Sequence, residues 1–331
     1  MQKSFCVIKL LEPTKSYVTH YPDAISFCEK AEGIFWTSKE IDVEKDKQDM
    51  LVNMTEAERH GVTTTLKLFT LYELIAGNEY WGERVKKAFP RPEIERMCSV
   101  FSFFELNIHA PFYDRLNKVL GLSNDEFYLS YANDPVLRDR INFVDNLVNQ
   151  PDLLTSLGCF SLVEGAVLYS SFAFLKHFQA QGKNKLLNVV RGINFSVRDE
   201  NIHAMAGAWL YRSLRDETLK ANPSYRGEVE KASEAILEAS RAIYEHESRI
   251  VDMIFEKGEI EGITSDQMKK FVQSRINLCL SQLGLPQVFE VMNDTISGWF
   301  YDNINSVSFN DFFTGVGSSY NRSWKQDGFV W

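Results

Sequence analysis

From about residue 55 to 285 the apolar residues recur at intervals of three and four, the spacing that lines up side chains on one face of an α-helix. The stretch TEAERHGVTTTLKLFTLYELIAGNEYWGERVKKAF starts with Thr55, suited to accept from a free N–H of the first turn, and stops at Pro90. Pro92 and Glu93 open a second helix through EIERMCSVFSFFELNIHAPFYDRLNKVLG, whose last residue, Gly121, suits a C-terminal cap. A third, VLRDRINFVDNLVNQ, follows Pro135. A fourth, LLTSLGCFSLVEGAVLYSSFAFLKHFQAQG, is apolar nearly all round in its middle, which predicts burial at the centre of a bundle. The fifth, KLLNVVRGINFSVRDENIHAMAGAWLYRSLRDE, is amphipathic, and two more, around 226–256 and 265–284, are charged on one face and read as peripheral. Long helices, short connections and no alternating strand units predict an all-α bundle.

The segment before residue 55 is mixed and is expected to wrap the bundle, giving one helical domain over 1–300. The remainder, 301–331, is rich in Gly, Ser and Asn, has no periodicity, and still keeps Tyr320, Trp324, Phe329 and Trp331. Aromatic residues retained in such a tail suggest a docking peptide, with packing on the chain's own bundle as the alternative. Composition narrows the picture further. The 24 Phe and 13 Tyr suggest a bulky interior. A formal charge of -9 and the lack of a basic stripe argue against nucleic acid as a partner. Cys6, Cys28, Cys98, Cys159 and Cys279 are scattered, with no C-x-x-C pair, which argues against both a disulfide framework and a thiolate zinc site. No apolar run is expected to reach the roughly 20 residues that span a bilayer, and the N-terminus lacks the pattern of a signal peptide, so a cytoplasmic location is expected.

Against that apolar background a few polar residues stand out. In RDENIHA, Glu200 and His203 are three apart and leave the same face of a helix. Glu164 lies in the most apolar helix of the chain, and Glu73 in the hydrophobic run LFTLYELIAG. A buried carboxylate is paired, protonated or metal-bound; for Glu164 an ion pair with Arg191 or Arg198 is the plain structural alternative. The segment FELNIHAPFYD adds His109, with Glu105 beside it. Carboxylates and imidazoles converging from four helices form the pattern of a di-iron or di-manganese bundle, and hard oxygen donors with imidazole suit iron or manganese. His20, His60, His177 and His246 lie outside these motifs.

The order and surroundings of the motifs resemble the small, radical-generating subunit of class I ribonucleotide reductase, a ferritin-like bundle, across most of the chain. LNIHAPFY is similar to the family's run of Glu, two residues, His, three residues, Tyr; the resemblance implies His109 as a metal ligand and Tyr113 as the radical-bearing tyrosine. LVEGAVLYSSFAF implies Glu164 as a ligand and Phe172 as a shield of the radical, and RDENIH implies Glu200 and His203 as ligands with Asp199 in the electron path. Glu73 matches the first carboxylate, and FWTSKEIDV implies Trp36 as the start of that path. The tail's SSY implies Tyr320 as the mobile relay, and the terminus with Phe329 and Trp331 as the peptide that docks on the large catalytic subunit. The resemblance also implies a homodimer, two metal ions, iron or manganese, and ribonucleotide reduction carried out only with the large subunit. Whether an activating flavoprotein is a further partner stays open.

One position departs from the pattern. Where the family has the metal-bridging glutamate, this chain has Leu106, which cannot coordinate a metal. At about 100° per residue, Leu106 and Glu105 lie roughly 60° and 40° from His109 on either side, and Pro111, which cannot donate to Asn107, could bend or bulge the helix at this turn and bring Glu105 in. Three outcomes are open: Glu105 as a sixth ligand, a five-ligand dimetal site, or a site for one metal or none. The competing functional readings are a dimetal carboxylate oxidase acting on a small molecule and a noncatalytic helical interaction protein.

Overall fold

The computed structural model describes residues 8–304, and among these the chain is helical throughout, with a lone antiparallel bridge between Ile260 and Ile263. Its main helices are α1 (Pro22–Gly33), α2 (Glu56–Leu74), α3 (Pro92–Phe104), α4 (Ala110–Val119), α5 (Pro135–Val148), α6 (Leu153–Ala166), α7 (Tyr169–Lys176), α8 (Leu187–Ala221), α9 (Arg226–Ile254), α10 (Ser265–Leu283) and α11 (Ile296–Ile304). Local chemistry explains several starts. The Thr55 hydroxyl accepts from the Glu58 N–H while the Glu58 carboxylate accepts from the Thr55 N–H, and Asp134 and Asp152 cap α5 and α6 in the same sense. Pro92 and Pro135, without N–H groups to orphan, occupy first-turn positions.

The centre is built by α6 packed along α8, with α9 and α10 against α6, and α2, α3 and α4 closing the other side. Every residue of α6 from Leu154 onward is buried, as its all-round apolar sequence requires. By length and composition Leu153–Gln179 could cross a membrane, contrary to the expectation that no run would qualify; its apolar 18-residue stretch is buried within the bundle.

The described part of the N-terminal segment is tied to α8. Asp46 accepts from the Val189 N–H at 2.7 Å and from the Asn188 amide at 2.8 Å, and Asp49 accepts from the Leu186 N–H at 2.9 Å. Carboxylates thus fill the donor-rich start of a 35-residue helix, where its dipole favours negative charge.

Three features depart from unbroken α-helices. α2 runs into a π-helical segment, Ile75–Val85; a second π-helical turn, Glu105–His109, separates α3 from α4; and the expected fourth helix is two helices. Between α6 and α7, Val167 is extended (ψ 141°) and Leu168 is left-handed (φ 72°), with neither Gly nor Pro to mark the break. α11 reaches past residue 300, and Tyr320, Phe329 and Trp331 lie outside the described residues.

Candidate metal centre

Six side chains from four helical segments meet in the core. Glu73 comes from the last turn of α2, Glu105 and His109 from the π-turn, Glu164 from α6, and Glu200 and His203 from α8. All six are at least 94 % buried. They form two overlapping sets of possible metal ligands, Glu73, Glu105, His109 and Glu200, and Glu105, Glu164, Glu200 and His203.

Glu105 and Glu200 are common to both sets, and each turns one oxygen to either imidazole. Glu105 places Oε2 3.0 Å from His109 Nδ1 and Oε1 2.6 Å from His203 Nδ1. Glu200 places Oε1 3.1 Å from His109 Nδ1 and Oε2 3.6 Å from His203 Nδ1. Glu73 approaches only His109 (3.4 Å) and Glu164 only His203 (3.6 Å). Two carboxylates that face both imidazoles, two that each face one, and the two imidazoles themselves match the donor set of a dimetal bundle.

The π-turn brings Glu105 into this arrangement. Its closing bond runs from the Ala110 N–H to the Glu105 carbonyl, five residues back, so the turn holds one residue more than an α-helix would and the four-residue spacing from Glu105 to His109 keeps both on the inner face. Pro111 follows at the start of α4, where its missing N–H is tolerated. Leu106 is carried away from the carboxylates and packs against Gly77 of the facing π-segment. A Cβ added at Gly77 would lie 2.7 Å from Leu106 Cγ and 2.9 Å from Glu105 Cβ. Glu105 therefore stands among the possible ligands, and Leu106 packs against Gly77.

The electrostatics favour cations. Burial pushes Glu73 well above the usual carboxylate range, with the Glu105 charge adding to it, and burial together with Glu200 does the same to Glu164. For Glu105, burial is outweighed by His109 and His203, which hold it well below that range. Burial opposes charge on both imidazoles, yet Glu105 and the other carboxylates around them raise both. Glu105 Oε1 and His203 Nδ1 lie 2.6 Å apart without hydrogen-bond alignment, and Glu73 Oε1 has no hydrogen-bond partner. Buried acceptors left in this condition are costly, and a coordinated cation would satisfy them. Two divalent ions bring four positive charges, which Glu73, Glu105, Glu164 and Glu200 balance. The residues present fit a dimetal group.

Around the six lies a second layer. His109 Nε2 is 3.1 Å from Asp199 Oδ2, and the same oxygen accepts from the Trp36 indole N–H at 2.7 Å. A continuous chain thus runs from the centre through Asp199 to Trp36, which is fully buried against Phe112 and Phe195. Tyr113 is also fully buried; burial first, then the Glu73 charge, pushes its phenol well above the usual value, against the opposing effects of His109 and the Ser196 hydroxyl. Phe69 packs on the Tyr113 ring at 4.5 Å, and Phe172 stacks on Phe69 at 5.3 Å, so Phe172 covers the tyrosine through an intervening ring.

Sequence reasoning missed Trp81, whose indole N–H donates to Glu164 Oε1 at 3.0 Å and fixes that carboxylate from outside. It stands in the π-segment eight residues after Glu73. Neither Arg191 nor Arg198 pairs with Glu164: Arg191 lies over Phe195, and Arg198 donates to the Ile34 carbonyl. Glu79 is exposed, as expected of a solvated helix residue. His177 is a buried core residue, its Nδ1 against the Phe174 carbonyl.

The sequence model of the family described as "Ribonucleotide reductase, small chain" matches residues 15–295. The chain is 24% identical over 324 residues to the "probable ribonucleoside-diphosphate reductase small subunit" of Invertebrate iridescent virus 3, covering 92% of this chain and 83% of that protein. It is 25% identical over 281 residues to the ribonucleoside-diphosphate reductase small subunit of Dictyostelium discoideum, covering 82% and 77%. In structure it is similar to the dimanganese(II)-NrdF of Streptococcus sanguinis, with a TM-score of 0.72 at 20% identity, covering 86% of this chain and 96% of that one.

Proposed function

The chain belongs to the ribonucleotide reductase small-chain family, and from that premise we propose that Glu73, Glu105, His109, Glu164, Glu200 and His203 hold two iron or manganese ions beside a redox-active Tyr113. As a small subunit it works with a large catalytic subunit in reducing ribonucleotides, and the names of its relatives favour diphosphates as the substrates. When bound, the metal pair supplies the oxidising power that takes an electron from the phenol.

The chain's own residues do the rest. Burial and the Glu73 charge keep the Tyr113 phenol protonated until it is oxidised, and Phe69 and Phe172 exclude water from its ring. Asp199 holds the His109 imidazole by Nε2, leaving Nδ1 turned to the carboxylates, and it accepts the indole proton of Trp36 in a hydrogen bond along which a proton can shift as charge moves. The observation that carries this reading is the unbroken Trp36–Asp199–His109 chain, which an oxidase acting on its own small substrate would not need. Onward transfer through Tyr320, and docking of the terminus with Phe329 and Trp331 on the large subunit, complete the proposal.

The test is anaerobic loading with iron or manganese followed by exposure to oxygen, and for manganese also to superoxide. A tyrosyl radical signal is expected, and Tyr113→Phe is expected to abolish it while two metal ions per chain remain bound. Absence of any radical from the loaded wild-type protein would remove the radical assignment.

A further inference from the structure

The break between α6 and α7 is strained and yet lies within two turns of the metal centre. Leu168 is a bulky residue in a left-handed conformation, which costs energy and persists only where neighbouring structure enforces it. Both orphaned ends of the break meet buried charged groups from other helices. On the α6 side, the Gly165 carbonyl would accept from Tyr169 in a continuous helix; instead it accepts from Arg275 Nε at 3.0 Å and Nη2 at 2.7 Å. On the α7 side, the Glu247 carboxylate of α9 accepts from the Ser170 hydroxyl at 2.9 Å and faces the Leu168 N–H. Arg140 of α5 lies 2.5 Å from Glu247 and rests over the Tyr72 ring. Cation at the end of one helix and anion at the start of the next is the arrangement their dipoles favour.

Glu164 stands one residue before the carbonyl that Arg275 holds, and Phe172 accepts its place on Phe69 from the first turn of α7, its N–H donating to the Leu168 carbonyl at 2.9 Å. Val167 and Leu168 themselves line the cavity whose inner wall includes Glu73, Glu105, Glu164 and Glu200. An unbroken helix would rotate the residues after Ala166 relative to Glu164.

We propose that Glu247 and Arg275 are positioning residues for the reaction: they hold the Val167–Leu168 break, which aims Glu164 into the metal centre and Phe172 over the Tyr113 side. The inference rests on the metal-centre reading above. It also gives the buried Arg140–Glu247 pair a role, since such a pair is not by itself a strong source of stability.

The test uses the full-length chain titrated with manganese(II), compared among wild type, Glu247→Ala, Leu168→Gly and the double variant. Wild type is expected to bind two ions. Glu247→Ala is expected to weaken the binding of one ion by about tenfold or more, the range found for residues that orient ligands, and to shorten the lifetime of the tyrosyl radical. Leu168→Gly removes the conformational penalty, so in the double variant it is expected to recover most of the lost manganese affinity, which a general loss of stability would not allow. Should Glu247→Ala fail to fold, Glu247→Gln, which keeps acceptor oxygen but loses the charge, is expected to show the same direction of change. Wild-type manganese affinity and radical lifetime in the folded Glu247 variant, or no recovery in a folded double variant, would overturn the proposal. A wild-type chain that takes up no manganese would instead remove the metal-centre reading.

Discussion

At the scale of single residues, one position decides the character of the site. Glu105 stands in the place that the family's pattern gives to residue 106, and it alone shares both of its oxygens between the two imidazoles at 3.0 Å or less. Removing it leaves three carboxylates for four metal charges. Glu105→Ala is therefore expected to lower manganese uptake from two ions per chain to one or none, read by elemental analysis after desalting. Leu106→Ala, by contrast, should keep two ions and cost only packing. Trp36 belongs at the same scale. Trp36→Phe keeps the aromatic packing and deletes the donor to Asp199; the radical at Tyr113 should still form, while nucleotide reduction with the large subunit should fall to background.

At the scale of elements, the two facing π-segments act together. Gly77 in one makes room for Leu106 and the Glu105 backbone in the other, and a methyl group there would approach Leu106 Cγ at 2.7 Å and Glu105 Cβ at 2.9 Å. Gly77→Ala should cost about 1–3 kcal/mol as overpacking, lowering the thermal midpoint, and should weaken metal binding by moving Glu105. These segments also show what could and could not be read in the sequence. The helices were legible because apolar residues at three- and four-residue spacing report directly on a buried face. Glu73, His109, Glu164, Glu200 and His203 were legible as polar residues inside apolar runs. The π-turn was only half visible: Pro111 hinted at a shift, but the extra residue in the turn depends on the fit of Leu106 against Gly77, a tertiary contact. Trp81 was not legible as a partner of Glu164, because that contact joins residues 83 apart in the chain. The Val167–Leu168 break left no local mark at all, because Arg275 and Glu247, which satisfy it, stand more than 75 residues away.

At the scale of the whole molecule, the last described helix is tied to the core by a buried lysine. The Lys176 ammonium donates to the Phe300 carbonyl at 2.7 Å and lies over the Phe300 ring, with burial lowering its pKa to about 7. The unfolded chain would bind this proton up to about pH 10.4. Between about pH 7 and 10 the unfolded state therefore holds more protons at this site than the folded state, so stability from this group rises with pH across that window. Lys176→Met should flatten this rise, measured as the thermal midpoint against pH for both proteins; parallel profiles would show that the ammonium is not desolvated as described.

We propose that Glu105, carried inward by the π-turn, helps to hold both metal ions in place of the residue at 106. A crystal structure of the manganese-loaded chain with anomalous scattering tests it most directly. Two anomalous peaks are predicted, both contacted by Glu105 and Glu200, one also by Glu73 and His109 and the other by Glu164 and His203. A single peak, or two peaks with Glu105 turned away from both, would overturn this assignment of Glu105.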